Sequence, residues 1–238
     1  MSVDTISISS NEVSFFVTRA AVGVGVFYGV AEDFSKAVIW ATRCGLDPAV
    51  AALSCLKRLD SNPDCALMTM IETDTKWIFR GKKGLSATYA ATALTDFWPL
   101  TTSDDHEIIV CGVDNPLIVA SALGLENNLS GVVEWPGVKI VFSENHGAEI
   151  DATDINSLFS PKLVDLKVSN CAQSYCGPTV FSLDPRQQDL ASDEMLNTGI
   201  HVDEKSWRGI ISLFERCLVT SNQHSQLSGA GAGLLDND

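Results

Sequence analysis

The last eighteen residues of the 238-residue chain combine glycines, hydroxyls and carboxylates in a pattern that could bind a ligand. Glycine alternates with alanine over residues 229–233, and such a backbone can bring its amide groups close to an anion. The carboxylates that follow could contact a cation or act as a base, although a solvated tail has the same composition. The ligand-binding candidates are Ser221, Ser225, Gly229, Gly231 and Gly233, and the catalytic candidates are Asp236 and Asp238.

A polar loop with two cysteines is the second place where residue types could do chemistry. Cys171 and Cys176 lie in the segment NCAQSYCGP, after a predicted strand. A thiolate at Cys171 would be a nucleophile if one of the four histidines of the chain lay beside it. A structural loop is the plainer interpretation, and a metal site lacks a second cysteine pair. We therefore take Cys171 as a catalytic candidate and predict no metal.

A short basic segment runs against the charge of the rest of the chain. Glycines bracket its last two lysines, Lys82 and Lys83, and a serine and a threonine follow. A basic turn of this kind could hold a phosphate or carboxylate through charge and backbone amides. A charged hairpin or strand end that keeps a sheet edge soluble is the alternative. The four basic residues of the segment are Lys76, Arg80, Lys82 and Lys83.

Composition excludes several classes of protein. The chain carries 30 acidic and 16 basic residues, a net charge of −14, which disfavours nucleic acid and anionic membranes as partners. With 45% hydrophobic and 19% charged residues it is an ordinary globular sequence. The apolar run at residues 20–31 is too short to span a bilayer, and no basic segment of a secretory signal precedes it. Seven cysteines, mostly in apolar stretches, predict reduced thiols in a cytoplasmic protein.

The first sixty residues predict three short amphipathic helices. Ser9 and Glu12 have the spacing of a capping box at the start of the first. A second helix fits residues 31–44, and Asp47-Pro48 supplies the cap and the first-turn proline of the third. Helices this short need the rest of the chain to pack against.

From residue 62 onward the pattern favours strands. The dipeptide Pro136-Gly137 between two apolar runs predicts a hairpin. A helix should open at Asp114-Asn-Pro116, and the last amphipathic helix should cover about 203–218. The other strand candidates are residues 66–71, 76–79, 106–111, 164–168 and 179–183.

This mixture of helices, strands and a hairpin predicts an α+β fold. We expect an N-terminal three-helix subdomain packed on a mixed or antiparallel sheet, with a covering C-terminal helix. The helical subdomain is placed at residues 1–61 and the α+β body at residues 62–238, as one continuous globular unit.

Both ends of the sequence resemble an uncharacterised bacterial family known only as a domain of unknown function. The opening segment is SSNEVSFFVTRAAVGVGVFYGVAEDFSKAVIWATRCGLD, and the closing one is VTSNQHSQLSGAGAGLLDND. Gln226 stands where the family's arginine is expected after Ser225, which argues against an anion-binding role for that position here. The resemblance implies a cytoplasmic domain whose tail is part of the fold, and it implies no activity.

These features favour a cytoplasmic small-molecule-binding protein, and an enzyme if the tail carboxylates or Cys171 act chemically. Its site would lie at the glycine-rich tail, and its ligand would be a small anionic metabolite. The alternative is a non-catalytic subunit or assembly module of a bacterial complex, whose tail packs against a neighbouring chain, as in a homodimer. A metal-dependent hydrolase is a third hypothesis. The sequence specifies neither the reaction nor a cofactor.

Overall fold

The structure, a computed structural model, describes residues 4–101, 107–126, 130–143, 147–159, 162–169 and 181–218. Its helices are α1 (Ser10–Gly23), α2 (Tyr28–Thr42), α3 (Pro48–Ser61), α4 (Ala87–Thr101), α5 (Pro116–Gly124), α6 (Ile155–Leu158), α7 (Pro185–Thr198) and α8 (Glu204–Phe214). Its strands are β1 (Thr5–Ile8), β2 (Thr69–Glu72), β3 (Lys76–Leu85), β4 (Glu107–Val113), β5 (Gly131–Trp135), β6 (Val138–Ser143), β7 (Gly147–Ala152), β8 (Val164–Ser169), β9 (Phe181–Leu183) and β10 (Ile200–Asp203). This mixture of elements confirms the α+β class.

Local capping signals place the first and third helices. The Ser9 hydroxyl accepts from the Glu12 amide at 3.2 Å, and the Glu12 carboxylate accepts from the Ser9 amide at 2.8 Å. The two residues form the predicted capping box. At the start of α3, the Asp47 carboxylate accepts from the amides of Ala49 and Val50. Pro48, the first residue of the helix, has no amide hydrogen that would need a partner.

Eight strands form one mixed sheet in the order β2-β3-β4-β8-β5-β6-β7-β9. Strands β3 and β4 are parallel neighbours, whereas the other neighbouring pairs are antiparallel. The predicted hairpin is β5 and β6, in which Trp135 pairs with Val138 and Gly137 takes a positive φ of 84°. A second, two-stranded sheet pairs β1 with β10 and so joins the two ends of the described chain.

The helices form a layer that packs together as well as on the sheet. Helix α2 packs against α1 and α5, and α4 also packs against α5. Helix α8, which we expected to cover the sheet, lies chiefly against α1 and α3. The largest fully buried side chains come from both layers and include Phe34, Phe79, Leu94, Ile118 and Ile140. None of the helices that the structure describes is long and apolar enough to cross a membrane.

Of the two interpretations of the basic segment, the structure agrees with the strand end and not with the turn, because Lys82 and Lys83 lie near the end of β3. Strand β3 continues through both lysines to Leu85, because Leu85 pairs with Val113 of β4. The pairing is interrupted between Arg80 and Leu85, and this irregularity contains the glycines that suggested a turn.

All five cysteines within the described ranges are free thiols, as predicted. Cys44, Cys55 and Cys65 are buried, whereas Cys111 and Cys217 are only half-buried. Cys171 and Cys176 lie outside the described residues.

Candidate functional site

The carboxyl ends of β3 and β4 lie side by side because the two strands are parallel neighbours. Each strand leads directly into a helix, β3 into α4 and β4 into α5. Ligands of α/β proteins commonly bind outside the carboxyl ends of parallel strands. This edge of the sheet is therefore the first place in the fold to expect a ligand.

An ion pair between Arg58 and Asp114 organises this edge. Arg58, in the last turn of α3, donates from Nη1 to Oδ2 of Asp114 at 3.0 Å and from Nη2 to the carbonyl of Lys83 at 2.8 Å. The other carboxylate oxygen of Asp114 accepts from the amide of Ala87, the first residue of α4, at 2.6 Å. One arginine and one carboxylate thus tie α3, β3 and α4 to the end of β4.

Burial sets the electrostatics of this ion pair. The Asp114 side chain is only 9% exposed and that of Arg58 is 22% exposed. Burial raises the pKa of Asp114 above its ordinary value, although hydrogen bonds from Ala87 and Arg58 favour the charged form. The carboxylate consequently depends on these two donors, and losing Arg58 would leave it as a buried charge without compensation.

The backbone at this edge is unusually close-packed. Gly84 and Gly112 both take positive φ, and a Cβ on Gly84 would lie 2.5 Å from the carbonyl oxygen of Gly112. Asn115 also has a positive φ, 45°, which is uncommon outside glycine, and its side-chain Nδ2 donates to the Cys55 sulfur at 3.0 Å. A left-handed residue that the surrounding contacts hold in place is often found near a functional site.

Two buried hydroxyls at the start of α4 have unused hydrogen-bonding capacity. Ser86 Oγ and Thr88 Oγ1 belong to fully buried residues, and neither has a hydrogen-bond partner among the residues that the structure describes. Native proteins leave few buried polar groups unpaired, so such atoms call for an explanation.

Burial makes the thiols beside this edge poor candidates for nucleophiles. Burial raises the pKa of Cys65 and raises that of Cys55 well above the ordinary thiol value. Both thiols are therefore protonated at neutral pH, and a protonated thiol reacts slowly. The chemistry available here is that of charges and hydrogen-bond donors.

Lys82 and Lys83 give the edge its net charge. Both are exposed, and no carboxylate of the described residues forms an ion pair with either. We call Arg58, Lys82 and Lys83 the basic corner; Asp114 pairs with Arg58, and the two exposed lysines add positive charge beside that pair. In a chain of net charge −14, a positive site of this kind concentrates small anions.

A cavity of about 280 Å³ lies at the other end of α3. Asp47, Glu194 and His201 are in its wall. Both Asp47 oxygens are already occupied, one by the amides that begin α3 and the other by the amide of Asp203 at 2.7 Å. Within the described ranges, no three residues of the types that bind metals are close enough to hold an ion.

Of the predicted site residues, the structure describes Lys82 and Lys83 and places them together on β3. The other candidates lie outside the described residues: Cys171, Ser221, Ser225, Gly229, Gly231, Gly233, Asp236 and Asp238. Sequence reasoning missed the roles of Arg58 and Asp114. The position of Asp114, directly after a buried strand and before Asn-Pro, is the signal that could have drawn attention to it.

Comparison with known families confirms the resemblance to an uncharacterised family at the N-terminus. Residues 8–73 match the sequence model of a family described as "Protein of unknown function (DUF3726)". That range covers α1 to α3, Arg58 and the strand β2. No curated protein matches the sequence.

Several solved structures that share the fold of this chain are named as dehydrogenases. A dehydrogenase from Sinorhizobium meliloti matches with a TM-score of 0.64 and 10% identity, over 89% of this chain and 100% of that one. A malate dehydrogenase from Entamoeba histolytica matches with a TM-score of 0.60 and 8% identity, over 92% and 99%. A putative malate/lactate dehydrogenase from E. coli matches with a TM-score of 0.58 and 9% identity, over 94% and 98%. At these identities the likeness establishes the fold alone.

Proposed function

We propose that this protein binds a small organic anion of the 2-hydroxy acid class at the basic corner. Lys82 and Lys83 contact the charged groups of the ligand, and Arg58 and Asp114 hold the end of β3 in position. One observation carries this proposal. Two consecutive exposed lysines lie near the carboxyl end of β3, beside its parallel neighbour β4, and neither has an ion-pair partner in the described chain. Arg58 holds their backbone in place through its hydrogen bond to the Lys83 carbonyl.

The charges favour an acid over a neutral metabolite. The corner provides cations and donors, and charge-assisted hydrogen bonds to a carboxylate are the strongest that such groups form. Arg58 already donates to Asp114 and to the carbonyl of Lys83 and is mostly buried, so we assign it the role of positioning the strand. The lysines are exposed and keep their ammonium groups available.

The structural relatives support the choice of ligand class. The relatives described above are named for malate and lactate, and a sulfolactate dehydrogenase from Methanocaldococcus jannaschii shares the fold as well. All three compounds are small 2-hydroxy acids with a carboxylate. A protein of the same fold with a basic corner has what is needed to hold such an acid. Cys171, Asp236 and Asp238 stay our candidates for the groups that would make the protein an enzyme.

A cytoplasmic location is part of the same proposal. The five free cysteines of the described ranges suit a reducing compartment, where disulfides are rare.

Calorimetric titration of the full chain with malate, lactate and sulfolactate tests the proposal. Malamide, which keeps the hydroxyl and replaces both carboxylates by neutral amides, is the control. We expect the acids to bind more weakly as salt rises, because screening weakens exposed charge interactions, and we expect malamide not to bind. If no acid bound at millimolar concentration, or malamide bound as well as malate, the proposal would be wrong.

A further inference from the structure

Helices α1 and α2 enclose a cleft of about 270 Å³ that shares no residue with the basic corner. Its lining residues all fall between positions 11 and 36, within the range that matches the uncharacterised family. The volume is slightly below the range of about 300–1,000 Å³ that is ordinary for ligand sites, which indicates a small molecule.

The floor of the cleft is made of hydroxyl groups. Thr18 is 5% exposed and Ser35 is 1% exposed, so both are buried polar residues. Ser35 Oγ lies 3.5 Å from Ser14 Oγ and donates to the carbonyl of Glu32 at 2.8 Å. The buried residues of α1 and α2 are otherwise mainly apolar, so these hydroxyls make the floor of the cleft locally polar.

Aromatic side chains form the walls. Phe15 and Tyr28 are each about half exposed, at 48% and 53%. Phe15 is nevertheless fixed, because Phe16 packs edge-on against it at 5.2 Å between ring centroids and Phe214 lies at 5.9 Å. A rigid aromatic wall costs little entropy when it receives a flat ligand.

Three charged residues, Arg19, Glu32 and Lys36, line the cleft. The guanidinium carbon of Arg19 stands 5.4 Å from the centroid of Phe15, a cation–π contact that orients the group. No carboxylate of the described residues forms an ion pair with Arg19, although the chain has 30 acidic residues. Lys36, also in the lining, is paired with Asp33 at 3.1 Å on the surface.

We propose that this cleft binds a small aromatic carboxylate. The guanidinium of Arg19 receives the carboxylate, since its planar fork matches two carboxylate oxygens. The aromatic ring of the ligand then lies beside Phe15 and Tyr28, and the floor hydroxyls accept a polar substituent on that ring. This site is independent of the basic corner, so either proposal can fail without the other.

Titration of the full chain with benzoate tests the site, with two matched probes. Cyclohexanecarboxylate keeps the charge and loses the aromatic ring, and benzamide keeps the ring and loses the charge. Benzoate is expected to bind about tenfold or more tightly than either. If benzoate did not bind, or bound no better than cyclohexanecarboxylate and benzamide, the proposal would be overturned.

Variants locate the binding in the cleft. Arg19→Gln should raise the dissociation constant of benzoate about tenfold, and Arg186→Gln, the same change on α7, should leave it within about twofold of wild type. Tyr28→Leu should reduce the preference for benzoate over cyclohexanecarboxylate. Since Arg19, Tyr28 and Arg186 are all exposed, each variant should keep the melting temperature of the wild type. Benzoate binding that Arg19→Gln leaves unchanged would assign it to another site.

Discussion

Arg58 and Asp114, 56 positions apart in the chain, lie 3.0 Å apart between Nη1 and Oδ2. The pair reaches from the end of α3 to the residue after β4, and its remaining hydrogen bonds hold Lys83 and the first amide of α4. The position of Lys82 and Lys83 therefore depends on the ion pair between Arg58 and Asp114, although neither lysine side chain takes part in it.

Replacing Asp114 by asparagine should destabilise the protein strongly. The change removes the charge that compensates the mostly buried Arg58, so we expect the free energy of unfolding to fall by about 3 kcal/mol in denaturant titrations. Asp33→Asn is the control, because its ion pair with Lys36 is on the surface and should contribute less than about 1 kcal/mol. Similar losses in the two variants would show that the Arg58–Asp114 pair does not organise the fold.

Asn115 should tolerate glycine better than alanine. Both changes remove the hydrogen bond to Cys55, but only alanine carries a Cβ that opposes the positive φ of 45°. We expect the free energy of unfolding of Asn115→Ala to be about 1 kcal/mol lower than that of Asn115→Gly. Asn62, where φ is −144°, is the control: there the alanine variant should be at least as stable as the glycine variant. If glycine were not the more stable replacement at Asn115, this interpretation would be contradicted.

Glu107 should make stability depend on pH in the acidic range. Hydrogen bonds from Lys167, at 2.6 Å, and Lys76, at 3.1 Å, keep its pKa below the ordinary value, with Lys167 the larger cause. A carboxyl with a lowered pKa stabilises the fold above its unfolded pKa, about 4.3, and that stabilisation disappears as the pH falls. The advantage of wild type over Glu107→Gln should thus be present at neutral pH and shrink below about pH 4. A difference that stayed constant with pH would count against the ion pairs.

Elements with strong local signals could be predicted from the sequence. Ser9 with Glu12, Asp47 with Pro48, and Pro136 with Gly137 each fix a helix start or a turn by contacts within a few residues. The structure confirms the helices α1 and α3 and the hairpin for that reason.

Elements that depend on distant partners could not be predicted. Strand β1 exists because it pairs with β10, where Ile8 faces Ile200. Helix α7 has no apolar stripe to recognise, since Gln188 is its one buried residue. Strand β3 passes through two glycines because β4 pairs with it again at Leu85.

The candidate site shows the same division. The basic segment with Lys82 and Lys83 is visible in the sequence because its residues are neighbours. The Arg58–Asp114 pair is not visible, because the fold alone brings the end of α3 to the end of β4.

The tail prediction can be tested separately. Removal of residues 229–238 should leave the helical content by circular dichroism unchanged and abolish the stabilisation that malate gives in a melting experiment. A ligand at a hundred times its dissociation constant stabilises a protein by about 2.7 kcal/mol, which a melting curve resolves. If malate stabilised the truncated chain as much as the intact one, the tail would not be part of the site.

The most direct measurement of the central claim is the dissociation constant of malate for the double variant Lys82→Ala/Lys83→Ala at low salt. We predict that it rises at least about tenfold over wild type, because the two exposed cations of the basic corner are gone. The control, Arg186→Ala/Lys205→Ala, removes the same charge from exposed positions on α7 and α8 and should stay within about twofold. Equal affinities of wild type and the Lys82/Lys83 variant would contradict a ligand site at this corner.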